Sequence, residues 1–142
     1  MEFSALTPGR VIETGSYDVT EEEIREFASR FDPQWFHTDP SRAQASRWGG
    51  LIASGWHTCG IAMRLVVEAV LSDSTSIGSP GVEHVRWLSP LRPGMRVKVR
   101  IEVLESRKSR SSRFGIVRWR WIMVGDNGIR LLELVATSLF EL

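Results

Sequence analysis

The sequence has little of several features that mark common classes of protein. A single cysteine, Cys59, excludes an internal disulfide and favours a reducing, cytoplasmic location. The formal net charge is only +1, so the basic excess typical of nucleic-acid-binding proteins is absent. The longest apolar run, residues 56–71, is short for a membrane span and contains three ionisable side chains. The N-terminus lacks a basic segment followed by an apolar run, so no signal peptide is predicted and we expect a soluble protein.

The chain does have the apolar content needed for a core. Its 142 residues, 42% of them hydrophobic, predict one domain that spans residues 1–142. Six tryptophans are an unusual number for this length. For Trp35, Trp48 and Trp56, pocket lining and plain packing are both open interpretations. The other three lie in strand-like segments, where we expect core or interface packing: Trp87, Trp119 and Trp121.

A capped helix is predicted near the N-terminus. Thr20 is the predicted N-cap, and Glu23 completes a capping box. An apolar stripe continues to Phe31, and Pro33 ends the helix because the residue before a proline avoids helical backbone angles. Asp32 is therefore expected where the helix ends and the chain turns.

The second half of the chain alternates in polarity as β-strands do. Between residues 96 and 103, valine and isoleucine alternate with charged residues, which predicts a half-buried antiparallel strand. Segments 81–88, 117–123 and 129–140 predict three more strands. A long helix from about Gly55 to Leu71 precedes them, and its apolar surface all round predicts burial on every side. The arrangement that satisfies both patterns is α+β, with an antiparallel sheet curled around the helix.

Asp32 and His37 form the most informative motif, because they place a carboxylate and an imidazole five residues apart in an aromatic-rich loop. Such a pair can move protons in general acid–base catalysis. Gly55, eighteen residues after His37, opens the long helix. A helix N-terminus offers N–H groups and partial positive charge to an oxygen that gains negative charge. This combination suits chemistry on a polarised carbonyl group, and no spacing of metal ligands is present.

Residues around the helix start are further candidates for substrate binding. Ser54 is most simply the N-cap of the long helix, directly before Gly55. His57, in the first turn, is either a third active-site group or a packing residue with a local hydrogen bond. Trp35 and Trp56 are candidates for the wall of the pocket.

Two segments together resemble the MaoC-like dehydratases, which include the R-specific enoyl-CoA hydratases and have the hot-dog fold. They are Asp32-Pro-Gln-Trp-Phe-His37 and Gly49-Gly-Leu-Ile-Ala-Ser-Gly55. The later segment 85–94 resembles the strand and proline turn that follow the central helix in that family. The resemblance extends over most of the chain, and its specificity comes from the fixed distance between the acid–base pair and the helix start.

The resemblance implies a role for each matching residue. Asp32 and His37 would hold and activate one water molecule, and Gly55 would donate its N–H to a thioester carbonyl oxygen. The sequence departs from the family at Ser54, where many members have histidine. It departs again at Met63, where some hydratases place a small hydroxyl residue. These departures concern the acyl part of the substrate and leave the acid–base pair intact.

The function implied by the resemblance is that of a lyase of fatty acid metabolism. It would hydrate an enoyl-CoA to a 3-hydroxyacyl-CoA, or catalyse the reverse dehydration. Coenzyme A would be part of the substrate, with no separate cofactor, and the protein would be a homodimer or a higher even oligomer. Two alternatives stay open: a hot-dog acyl-CoA thioesterase, in which water attacks the carbonyl carbon, and a non-catalytic acyl-thioester-binding module. The Arg107–Arg113 turn is either a site for the coenzyme A phosphates or a solvated hairpin tip.

Overall fold

One antiparallel sheet of six strands forms the frame of the protein. The computed structural model describes all residues from 1 to 142. The order across the sheet is β1-β4-β5-β6-β3, and β2 also pairs with β4. The strands are β1 (Val11–Glu13), β2 (Tyr17–Asp18), β3 (Ser76–Trp87), β4 (Arg96–Lys108), β5 (Phe114–Gly125) and β6 (Arg130–Glu141).

Four α-helices lie between β2 and β3 in the chain. They are α1 (Glu21–Phe31), α2 (Trp35–Thr38), α3 (Pro40–Gln44) and α4 (Gly55–Val66), and a π-helical turn, Val67–Leu71, extends α4. The predicted helix over residues 55–71 is therefore present, with its last turn widened. None of the helices combines the length and the hydropathy that a membrane crossing requires.

The sheet curls around α4, as the polarity patterns predicted. Alternate residues of β4 point inward, so Val97, Val99 and Ile101 are buried against α4 residues such as Leu65. Central helix and curved antiparallel sheet together are the hot-dog fold, which confirms the predicted α+β class. The fold places the N-terminus of α4 near the C-terminus of α1, and this junction positions the candidate site.

The prediction that α4 is buried on every side was wrong. Trp56 is 63% exposed and Met63 is 40% exposed. The reason is that part of the helix does not pack closely on its surroundings. Trp56 and Met63 line an open cavity whose other wall includes sheet residues such as Val82 and Leu134, instead of a closed core.

The predicted cap of α1 is half confirmed. The Thr20 hydroxyl accepts a hydrogen bond from the Glu23 N–H at 3.2 Å, and Asp32 is the C-cap residue. The Glu23 carboxylate does not close the capping box, because it accepts hydrogen bonds from Tyr17 and His57. The loop predicted after Asp32 instead contains α2, a single helical turn too short to show a periodic pattern.

Candidate active site

Asp32 and His37 lie side by side at the start of α4. The His37 Nε2 atom is 3.2 Å from Asp32 Oδ2, and the imidazole is 5% exposed. Asp32 ends α1 and His37 belongs to α2, so the short turn between the two helices brings the side chains together. The acid–base pair that the sequence predicted is thus a geometric pair in the structure.

The segment before α4 fixes the orientation of the His37 ring. His37 Nδ1 lies 2.7 Å from the carbonyl oxygen of Ile52, and the Ile52 N–H donates to the Phe36 carbonyl at 3.1 Å. Because a carbonyl oxygen only accepts hydrogen bonds, Nδ1 must carry the proton in the neutral ring. The Nε2 atom faces the Asp32 carboxylate, which is also an acceptor, so a proton on Nε2 is held between the two residues, and Nε2 is the nitrogen through which the ring can exchange a proton with a reactant.

Hydrogen bonds keep the Asp32 carboxylate charged. The Ser54 hydroxyl donates to Oδ2 at 2.7 Å, and the Gln34 amide donates to Oδ1 at 2.8 Å. Burial alone would raise the pKa of Asp32, but these two hydrogen bonds and the neighbouring His37 outweigh it and leave the pKa below its ordinary value. Asp32 is therefore an acceptor near neutral pH.

Ser54 does not act as the sequence pattern suggested. It occupies the N-cap position of α4, but its side chain makes no capping hydrogen bond. The hydroxyl points to Asp32 instead, and the residue is fully buried. The contact joins residues 22 positions apart, which no local capping pattern could reveal.

Gly55 begins α4 with an N–H that makes no hydrogen bond within the protein. The indole of Trp87 lies directly against this glycine, and its Nε1 donates to the Gly55 carbonyl at 2.9 Å. A Cβ atom added at Gly55 would lie 2.6 Å from Trp87 Nε1 and 2.8 Å from Cδ2. Only glycine fits beneath this indole. The tryptophan is 46% exposed, so of the core and interface packing expected for it, the core alternative does not apply, and the indole forms a wall of the site.

A cavity of about 490 Å³ opens at this junction. Asp32, His37, Gly55 and Trp56 all line it. Further lining residues, mostly apolar, are Phe36, Trp48, Ile52, Thr58, Trp87 and Leu91.

Three of the candidate residues do not line this cavity: Ser54, Trp35 and His57. Trp35 packs beneath the guanidinium of Arg42, whose central carbon is 4.4 Å from the ring centroid. His57 stacks on Phe27 at 4.8 Å and contacts Glu23, and it lines a different pocket. The sequence named Trp35 and His57 as candidates for substrate binding, but it could not show which side of its helix each residue faces.

Trp56 separates the cavity from a second one of about 540 Å³, because it lines both. Its ring meets Trp87 edge-on, with centroids 5.3 Å apart. The second cavity is mainly apolar, with Cys59, Met63 and Trp121 among its lining residues. No group of three or more His, Cys, Asp or Glu side chains in the structure is arranged to hold a metal ion.

Comparison with known proteins agrees with this architecture. The family model of the MaoC like domain matches residues 3–122. The uncharacterized protein YdeM of Bacillus subtilis is 32% identical over 111 residues, which is 78% of this chain and 79% of that protein. The 3-hydroxyacyl-thioester dehydratase Z of Mycobacterium tuberculosis is 30% identical over 99 residues, covering 68% of this chain and 66% of that protein.

A solved structure extends the likeness to nearly the whole chain. The MaoC-like dehydratase from Rhodospirillum rubrum superposes with a TM-score of 0.89 and 34% sequence identity, covering 97% of this chain and 94% of that chain. Asp32 and His37 both lie within the residues that the family model matches. This chain belongs to the MaoC-like dehydratase domain family.

Proposed function

We propose that this protein is a hydratase or dehydratase that adds water across the double bond of an α,β-unsaturated acyl thioester, or removes it in reverse. The observation that carries the proposal is the 3.2 Å approach of His37 Nε2 to Asp32 Oδ2 on the cavity wall. Gly55, with its free N–H, lines the same cavity. The site thus combines a proton acceptor, an orienting carboxylate and a donor for an oxyanion.

One water molecule can use both members of the pair at once. It would donate one hydrogen to Asp32 Oδ2 and the other to the unprotonated His37 Nε2. As the water oxygen bonds to the β-carbon, His37 Nε2 takes up its proton, and the Asp32 carboxylate stabilises the resulting imidazolium. Asp32 suits this role because its hydrogen bonds hold it in the charged form.

The electrons of the double bond then move onto the thioester oxygen and form an enolate. In this proposal the Gly55 N–H, at the positive end of α4, donates to that oxygen. One well-placed donor of this kind contributes about 3 kcal/mol to transition-state stabilisation. The enolate collapses when the α-carbon takes a proton from the imidazolium, which returns His37 to its neutral form and balances the reaction.

The relatives and the shape of the site support an acyl thioester as substrate. The Mycobacterium tuberculosis protein, 30% identical, is named a 3-hydroxyacyl-thioester dehydratase. In this chain, the apolar cavity beyond Trp56 offers space for an acyl chain whose carbonyl lies at Gly55. We assign the thiol portion to coenzyme A, with no further cofactor, and place the reaction in the cytoplasm.

The same proposal includes a homodimer. Strand β3 pairs only with β6, so its other edge is open, and it exposes Ile77 and Val82. An unpaired apolar edge of this kind is a surface for pairing with a second chain. Sedimentation at micromolar concentration should give twice the 16.1 kDa chain mass, and a monomer alone would refute this part of the proposal.

The experiment is a screen of enoyl-CoA thioesters from short to long chains with two simultaneous readouts. Hydration removes the conjugated enoyl absorbance without releasing thiol, and this is the expected result for at least one chain length. Release of free coenzyme A thiol would instead establish a thioesterase. Binding without either change would establish a non-catalytic module.

A further inference from the structure

A second cluster of titratable side chains lies beside the site but outside its cavity. The Tyr17 hydroxyl donates to Glu23 Oε2 at 2.7 Å, and His57 Nε2 lies 2.7 Å from Glu23 Oε1. Both carboxylate oxygens are therefore in use. None of the three residues lines the cavity that holds Asp32 and His37.

His57 is an unusual choice for simple packing. Its ring is 5% exposed and stacks on Phe27 with an interplanar angle of 11°. Because Glu23 accepts from Nε2, the neutral ring leaves Nδ1 as an acceptor, and this buried atom has no partner. A buried polar atom without a partner is unfavourable, and an apolar side chain could pack on Phe27 without it. The hydrogen bond to Glu23 is therefore the interaction that histidine makes at position 57 and an apolar side chain could not.

The cluster joins the same two helices that form the site. Helix α1 carries Glu23 in its first turn and has Asp32 as its C-cap, whereas Ser54 is the N-cap residue of α4 and His57 lies in its first turn. Two hydrogen bonds of 2.7 Å connect them, one from Ser54 to Asp32 and one between His57 and Glu23. On the α1 side, Glu23 and Asp32 are nine positions apart, which is about 13 Å at 1.5 Å per residue. On the α4 side, Ser54 and His57 are only three positions apart.

We propose that the Tyr17–Glu23–His57 cluster is a positioning device that fixes the angle of α1 across the start of α4 and thereby holds Asp32 beside Ser54 and His37. Over this distance a tilt of α1 by about 5° displaces one contact by roughly 1 Å relative to the other, and the hydrogen bond between His57 and Glu23 opposes that tilt. A displacement of about 1 Å at a catalytic group is enough to lower turnover about a hundredfold. The catalytic consequence rests on the proposed function, but the positioning itself does not.

His57→Leu tests the proposal by removing the Nε2 donor while keeping an apolar contact with Phe27. His57→Gln keeps an amide donor for Glu23 and serves as the conservative rescue. Glu23→Ala removes the other partner and provides a second route should the leucine variant fail to fold. Glu68→Gln breaks an exposed ion pair with Arg64 farther along α4 and is the matched control.

The first readout is the Asp32 carboxyl pKa, followed by NMR in protein with labelled aspartate. Burial raises this pKa, and the hydrogen bonds from Gln34 and Ser54 together with nearby His37 lower it. Since Ser54 and His37 belong to other helices than α1, their share of the lowering reports the position of Asp32 without any substrate. We expect this pKa to rise toward the ordinary range in His57→Leu and Glu23→Ala. In His57→Gln and Glu68→Gln it should remain low.

The second readout is steady-state kinetics with an active thioester. Turnover should fall at least about tenfold in His57→Leu, with KM within about threefold of wild type, because the change affects the reacting groups more than binding. A Ser54→Ala/His57→Leu double variant should lose less than the product of the two single losses, since both act on Asp32.

An unchanged Asp32 pKa and unchanged turnover in folded His57→Leu would overturn the proposal and leave the cluster a purely structural contact. Additive losses in the double variant would overturn it as well. A shifted pKa in a protein that hydrates no thioester would support the positioning role and refute only the proposed function. The two failures are thus distinguishable.

Discussion

The contact between Gly55 and Trp87 allows a quantitative prediction for Gly55→Ala. The added Cβ would lie 2.6 Å from Trp87 Nε1 and 2.8 Å from Cδ2, so the rigid indole must move by about 1 Å to reach normal contact. A methyl group at this position therefore meets the protein's own wall at Trp87.

The cost of this displacement has two parts. Overpacking of a fitted contact costs roughly 1–3 kcal/mol, and the hydrogen bond from Trp87 to the Gly55 carbonyl contributes about 1 kcal/mol that would be lost. A total of about 2–4 kcal/mol corresponds to a fall in melting temperature of roughly 5–15 °C for a chain of this size. Turnover should fall about a hundredfold, because the same movement shifts the Gly55 N–H from the oxyanion position.

Thermal melting and enoyl-CoA turnover of four variants test this reasoning. Gly60→Ala is the stability control, since a Cβ at that position in α4 meets nothing within 4 Å and alanine favours helix by about 1 kcal/mol. Trp87→Ala should relieve the clash. Gly55→Ala should therefore destabilise the Trp87→Ala variant less than it destabilises the wild-type protein. If Gly55→Ala melts like Gly60→Ala and keeps wild-type turnover, the steric account of this glycine is wrong.

The contacts of Ser54, Tyr17 and Asp32 give three further predictions. Ser54→Ala should raise the Asp32 pKa and reduce turnover about tenfold, because a hydrogen bond to a charged group contributes roughly 1.5–3 kcal/mol. A change in melting temperature without a change in turnover or in the Asp32 pKa would contradict this prediction. Tyr17 is the only tyrosine, and burial together with Glu23 raises its pKa to about 12. The phenolate absorbance of Tyr17 should therefore appear near pH 12. The contribution of this tyrosine to stability should be lost as the pH rises through that value. A titration midpoint near pH 10 in the folded protein would refute the Tyr17–Glu23 contact. Because the pKa of Asp32 is depressed by folding, its stabilising contribution is complete above about pH 4 and lost as the pH falls through the folded value. Denaturant unfolding across acidic pH should show a smaller loss in Asp32→Asn, and equal losses would contradict the assignment.

Local patterns in the sequence were sufficient for most of the fold. Alternating polarity from residue 96 to 103 identified β4, and the Thr20 cap and Pro33 set both ends of α1. These features are local because a strand face or a helix end is determined by neighbouring residues. The exposed side of α4 was missed because apolar residues look the same in a sequence whether they face a core or a cavity.

Local sequence patterns likewise predicted one part of the candidate site and not the rest. The pairing of Asp32 with His37 spans five residues and was visible as a motif. The contacts that define its surroundings join Ser54 to Asp32, His57 to Glu23 and Trp87 to Gly55, across 22, 34 and 32 residues respectively. Such contacts depend on how α1, α4 and β3 pack, and no periodicity or capping rule specifies them.

The most direct test of the central claim is enoyl-CoA hydration by wild type, Asp32→Asn and His37→Ala in parallel, with Glu68→Gln as a matched control. Each of the two site variants should remain folded and lose at least about a hundredfold in turnover, the lower limit for general acid–base catalysis, whereas the control should match wild type. Near wild-type hydration of every active substrate by either site variant would contradict the assigned pair.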